Sequence, residues 1–204
     1  MSDEEFFGTV ERVLSLGLNT NSYKFALLRA LARWGRGSHQ GSLISRQWLA
    51  ERFLEFYWPL ANQFRIRQST NTTREPVAWK WCREAAIDLG LSSATTIDDY
   101  RMKYSAHFAS LVGRLASRGG CLDEVLPRFH VLPRGRRPPK SLFQLDQEAV
   151  PRLCEGVPRF LRTHAGVLEA LSLGAWVRFT EQYSPEAQPR SALTKTLRSV
   201  SERA

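Results

Sequence analysis

The sequence predicts a mainly α-helical protein: a compact helical domain with one small β-hairpin in its second half. Three observations lead there. Apolar residues recur at three- and four-residue spacing through most of residues 4–118. Glycine and proline stops divide that pattern into helix-sized pieces. Near residue 119 the pattern changes, and two short strand-like runs flank a Pro/Gly-rich turn. The 204 residues, 43% of them hydrophobic, suit one compact domain with a real core. The natural division is a helical subregion at 1–118, then a hairpin, C-terminal helices and a basic tail at 119–204, together one compact unit.

The elements follow in order. Residues 4–16 place Phe6, Val10, Val13 and Leu14 on one helical face, and Gly17 and Asn19 stop the helix. Ser22 is placed to cap a second helix, YKFALLRALARW, with the apolar face Phe25, Leu28 and Leu31–Ala32, ended by Gly35 and Gly37. Ser45 caps a third, RQWLAERFLEFYW, which Pro59 is expected to kink or end. The polar stretch RIRQSTNTTRE reads as an exposed loop. Pro76 suits the first turn of PVAWKWCREAAIDL, closed by Gly90. Thr96 or Asp98 opens a further helix through Leu115, with Phe108, Leu111, Val112 and Leu115 in phase. RFHVL (128–132) and LFQL (142–145) are the two strands of a long-looped hairpin. Helix returns at 147–155 and 158–182, ended by Ser184–Pro185, and the tail from Arg190 to Arg203 is basic with a weak helical pattern in Leu193, Leu197 and Val200.

Several chemistries find no support in the motifs. Cys82, Cys121 and Cys154 lie far apart without a CxxC, which speaks against a disulfide scaffold or a Cys-rich zinc site; they read as buried thiols in a reducing compartment. None of His39, His107, His130 and His164 has another His or Cys three or four residues away. No HExxH, GxSxG, P-loop or GxGxxG is present, so no catalytic residue, metal ligand or cofactor site is assigned and the sequence leans away from an enzyme. Asp98–Asp99 and Asp123–Glu124 are neighbours about 100° apart on a helix, which suits caps and solvated charge better than a shared acid–base site. No apolar run approaches the roughly 20 residues of a membrane span, and the start MSDEEFF is acidic where a signal peptide is basic. The chain reads as soluble and cytoplasmic.

Arginine is the conspicuous residue. There are 29 Lys and Arg against 20 Asp and Glu, a formal +9, and residues 1–20 carry −3 of the balance. Three basic groups stand out: Arg65, Arg67 and Arg74 around QSTNTT; Arg134, Arg136, Arg137 and Lys140 in PRGRRPPK; and the tail, with Arg190, Lys195, Arg198 and Arg203. A guanidinium presents a rigid fork of donors that matches phosphate geometry, and basic loops release counterions when they track a nucleic-acid backbone. Arg134, Arg136, Arg137, Lys140, Arg65, Arg67, Arg74, Lys195 and Arg198 are therefore the candidate nucleic-acid contacts. The aromatics from Trp34 to Phe64 fall near helical spacing and read as core. Trp79 and Trp81 sit two apart, so a helix turns only one inward; the pair is the candidate for docking a protein partner.

Four segments resemble one known family. TNSYKFALLRALARW is similar to the opening of the N-terminal helical region of bacterial HNH-endonuclease-domain proteins. ISRQWLAERFLEFYWPLANQ resembles its next helix, LPRFHVLPRGRRPPKSLFQLD its hairpin, and LEALSLGAWVRFTEQYSP, from Leu168, its last helix before the nuclease. The likeness runs from about residue 19 to about 197. No segment here matches the family's HNH module, so none of its catalytic residues carries over. The resemblance implies a non-catalytic nucleic-acid-binding module, DNA more readily than RNA, without a cofactor. The alternative it leaves is a structural subunit of a multi-protein antiviral or CRISPR-type nucleoprotein complex, holding a guide or target strand beside protein subunits, away from any membrane.

Overall fold

The computed structural model describes residues 2–16, 22–37, 39, 41–66, 68–70, 75–126, 142–146, 148 and 150–183. The chain forms α1 (Asp3–Leu16), α2 (Tyr23–Arg36), α3 (Arg46–Asn62), α4 (Val77–Asp88), α5 (Ile97–Lys103), α6 (Ser105–Ala116), α7 (Cys121–Val125), β1 (Phe143–Leu145), β2 (Pro151–Leu153) and α8 (Val157–Tyr183). This is the mainly helical architecture with one small antiparallel hairpin that the sequence predicts.

α2 is the central element. Its apolar spacing assigns it one buried face, yet every residue from Tyr23 to Gly35 is buried. The reason is enclosure: α8 lies along α2, with α3, α1 and α7 packed on other sides. Lys24, Arg29 and Arg33 go into the interior with their polar heads paired. The Lys24 ammonium donates to the carbonyls of Val13 (3.0 Å) and Leu14 (2.8 Å) at the end of α1, where the last turn of a helix leaves carbonyls open. Ser22 stands at the N-cap of α2 but does not cap it; its hydroxyl is 2.7 Å from the Tyr57 hydroxyl of α3, in the core.

α3 begins as expected, with the Trp48 N–H donating to the Ser45 side chain. It does not end at Pro59 but continues to Asn62. Proline removes one helix bond at a cost of about 3 kcal/mol. Trp58, Leu60 and Ala61 on either side of it are buried almost completely, and burying one large apolar side chain is worth about 1.5–3 kcal/mol. Packing therefore outweighs the break. The aromatics from Trp34 to Phe64 do pack in or against the core.

The segment expected as one helix from Thr96 to Leu115 is two. Thr96 and Asp99 form a reciprocal capping box at the start of α5, and the chain breaks at Tyr104 (φ −128°, ψ 46°) before α6. The break lets Tyr100 stack on Trp58, with ring centroids 4.4 Å apart, while Phe108, Leu111, Val112 and Leu115 of α6 are buried.

The hairpin pairs differently from the expectation. LFQL supplies β1, but its partner is the following segment: Phe143 faces Leu153, Gln144 faces Arg152 and Leu145 faces Pro151. Residues 150–154, expected as part of a helix, hold this strand because Pro151 and Leu153 both turn inward in a period-two pattern. A bridge from Leu43 to Arg152 ties β2 to the loop before α3 on its other side. The run 128–132 lies outside the described residues. One contiguous core extends from Phe6 to Phe179, across both halves of the sequence.

Candidate nucleic-acid interface

The basic surplus is distributed unevenly. Residues 127–141 and 184–204 together hold nine of the 29 Lys and Arg against two of the 20 Asp and Glu. Residues 127–141 alone carry Arg128, Arg134, Arg136, Arg137 and Lys140 and no acid. The body holds this stretch at two buried leucines, Leu126 before it and Leu142 after it.

Arg29, Arg33, Arg36, Arg46, Arg52 and Arg101 pair with the body's own acids. Glu55 of α3 receives three guanidiniums: Arg33 at 3.0 Å, Arg52 at 2.7 Å and Arg101 at 2.9 Å. Glu169 of α8 pairs with Arg36 and lies 3.5 Å from Arg29. Burial pushes Arg29 down to about 10, against the attraction of Glu169, yet it stays charged at neutral pH. Arg29 and Arg33 both stack over the Phe56 ring, which shields them from water. Arg46 donates to the carbonyls of Ala116 (2.6 Å) and Ser117 (3.0 Å) and to Asp123 (2.6 Å), so it closes the end of α6.

Arg65 is exposed and, like Arg12, Arg152, Arg159, Arg162 and Arg178, has neither an ion pair nor a side-chain hydrogen bond among the described residues. Its φ is +49°, the left-handed conformation that glycine usually supplies at the end of a helix. The Ile66 N–H closes on the Leu60 carbonyl (2.9 Å) around it, which ends α3 and turns the Arg65 side chain out at the helix terminus. Of the nine candidate contacts read from the sequence, Arg65 is the one described. Arg67, Arg74, Arg134, Arg136, Arg137, Lys140, Lys195 and Arg198 lie outside the described residues.

The loop around Arg65 is not the exposed stretch its composition suggests. Ile66, Gln68 and Ser69 are buried, and Gln68 accepts the Trp176 indole N–H at 2.7 Å. Of the candidate docking pair, one tryptophan turns inward and the other is partly exposed. Trp79 is buried with Arg83 over its ring, and Trp81 is half-buried beneath Arg114, whose guanidinium sits 4.3 Å from the ring centroid.

The histidines are held locally. His107 is 2.6 Å from the Tyr100 hydroxyl, and His164 is 2.8 Å from Asp3. His39 stacks on Trp34 with ring centroids 5.5 Å apart. No group of three or more His, Cys, Asp or Glu close enough to hold a metal ion occurs among the described residues. No helix among them is long and apolar enough to cross a membrane. Sequence reasoning missed the Glu55 and Glu169 networks, because their partners are 22 to 140 residues apart or share a helix whose inward faces spacing alone does not reveal.

Residues 3–106 match the family described as a domain of unknown function (DUF8808). No curated protein and no solved structure matches the chain.

Proposed function

The chain belongs to the DUF8808 family, a domain of unknown function, and we propose that it is a non-catalytic nucleic-acid-binding module, with DNA the favoured partner. The observation that carries this reading is the basic stretch at residues 127–141, with five Lys and Arg and no acid, in a chain of net charge +9. Arg134, Arg136, Arg137 and Lys140 sit in a stretch without a single acid to neutralise them, so a polyanion is their natural counter-charge. Arg65 adds a second, outward-facing guanidinium that the fold keeps at the cost of a left-handed residue. The likeness of four segments to HNH-endonuclease N-terminal regions points in the same direction.

Mobility-shift titration of a duplex and a single strand across salt tests it. The dissociation constant is expected to climb steeply with salt, and replacing Arg134, Arg136, Arg137 and Lys140 by alanine to weaken binding to all sequences alike and flatten the salt slope by roughly one unit per lost phosphate contact. Arg65→Gly is the sharper variant, since glycine accepts the same φ and removes the charge without disturbing the helix end. Absence of a shift at micromolar protein and low salt, or binding indifferent to salt, rejects the proposal.

A further inference from the structure

α1 and α8 start side by side, where Phe6 and Phe160 pack with ring centroids 4.7 Å apart, and run in the same direction. Further along they leave a groove of about 660 Å³. Phe7 and Leu14 of α1, Phe25 of α2, and Leu171 and Phe179 of α8 make it apolar. Two charges line it, Glu11 on the α1 side and Arg178 on the α8 side. Both are exposed, and neither forms an ion pair among the described residues.

α8 turns one face toward this opening. Val167, Ala170, Leu171, Gly174 and Arg178 recur at i, i+3, i+4, i+7 and i+11. Val167 is 51% exposed and Leu171 42%, and the face carries no charge before Arg178. Gly174 lies inside the helix, where glycine costs about 1 kcal/mol relative to alanine. Its own chain does not require it: among the described residues, a Cβ there meets only the tip of Arg178, at 3.6 Å. A helical glycine left open in this way lets a second helix approach backbone to backbone.

We infer that a second copy of this chain occupies the groove, its α8 packed antiparallel on the first α8 about a twofold axis at Gly174. The charges select this occupant. A twofold contact pairs residues reciprocally, so one carboxylate and one guanidinium on the same surface are both satisfied, twice. A partner of a single charge would satisfy only one of them. The register agrees. With the crossing at Gly174, Arg178 falls opposite Ala170 of the second copy, each four residues from the axis. Phe7 touches His164 with ring centroids 4.9 Å apart. Glu11, one turn further along α1, therefore stands level with about residues 168–171 of α8. Arg178 of each copy thus meets Glu11 of the other. The two Arg178 side chains stay eight residues apart along the helix, about 12 Å, so they do not oppose each other. Leu171 falls opposite Val177, which gives the contact its apolar centre.

A dimer carries the basic stretch of residues 127–141 twice, which raises its avidity for a long polyanion. That consequence rests on the proposed phosphate binding; the pairing of the two copies does not.

Sedimentation of the full chain without nucleic acid, over a micromolar to sub-millimolar series at low salt, tests the pairing separately from nucleic-acid binding. A reversible dimer is expected. Glu11→Arg and Arg178→Glu each set like charges against each other at both reciprocal contacts, and each is expected to weaken the dimer about tenfold or more. Mixed in equal amounts, the two variants are expected to recover wild-type association, because each supplies the charge the other lacks. Leu171→Glu alters an exposed side chain, so it is expected to leave the unfolding transition unchanged and the protein monomeric. A wild type that stays monomeric throughout the series overturns the inference. So does a mixture that associates no more tightly than either variant alone, or a Leu171→Glu dimer of wild-type strength.

Discussion

Gly35 of α2 lies directly against the backbone of Leu161 in α8. A Cβ on Gly35 would come 2.4 Å from the Leu161 carbonyl oxygen and 2.5 Å from its carbonyl carbon. The obstacle is main chain, so no rotamer change relieves it, and α2 and α8 approach backbone to backbone at this point. Gly35→Ala is expected to lower the unfolding free energy by about 1–3 kcal/mol, even though alanine is the better helix former by about 1 kcal/mol. Gly113 of α6 is the control. A Cβ there meets nothing within 4 Å, so Gly113→Ala is expected to stabilise by up to about 1 kcal/mol. Urea denaturation of both variants measures the difference, and a stable Gly35→Ala contradicts the close approach.

Glu55 is the hub of the charge network on α3. It is buried, and so is Arg33, while Arg101 is more than a third exposed. Glu55→Gln leaves the Arg33 guanidinium buried beside a neutral amide, which is expected to cost about 3 kcal/mol. Arg101→Ala removes a solvent-screened partner and is expected to cost less than about 1 kcal/mol. The two unfolding midpoints are to be compared at low and high salt. Comparable losses in both variants contradict the assignment of Arg33 as the partner that matters.

Lys24 makes stability depend on alkaline pH. Burial lowers its pKa from the usual 10.5 to about 8 in the folded protein. Between those values the unfolded chain binds the proton and the folded chain does not, so raising the pH through this window favours folding. The stability of the wild type relative to Lys24→Met is therefore expected to rise from pH 8 to pH 10, and to be level below that window. Comparison with the variant cancels the ionisation of the buried Tyr57 and Tyr100 hydroxyls, which burial raises and which acts in the opposite direction. A difference that falls over this range contradicts the burial of a charged Lys24.

Much of the local structure was legible because its causes are local. Ser45 and the Thr96–Asp99 pair cap their helices through contacts three residues away. The in-phase residues Phe108, Leu111, Val112 and Leu115 are buried as a helical period requires. Where reading by period failed, a distant partner decided. Gln68 looked like loop polarity until Trp176 supplied its hydrogen bond, 108 residues away. Pro59 marked a kink or an end, and the burial of Trp58 and Leu60, outweighing one missing bond, carries α3 past it to Asn62. LFQL was visible as a strand, but a three-residue strand carries no mark of which neighbour it pairs with.

The candidate site divides along the same line. That the chain carries a cationic surplus, and that it gathers in PRGRRPPK and the tail, is a property of composition, which folding does not alter. By itself the sequence determined the helical class, most helix starts and the basic segments, because periodicity, capping and charge act over a few residues. Only the tertiary structure decided that Arg29, Arg33, Arg36, Arg52 and Arg101 neutralise two glutamates on α3 and α8, and that α2 is enclosed on every side. Those outcomes depend on which helices meet, and that is settled by long-range packing in a core spanning Phe6 to Phe179.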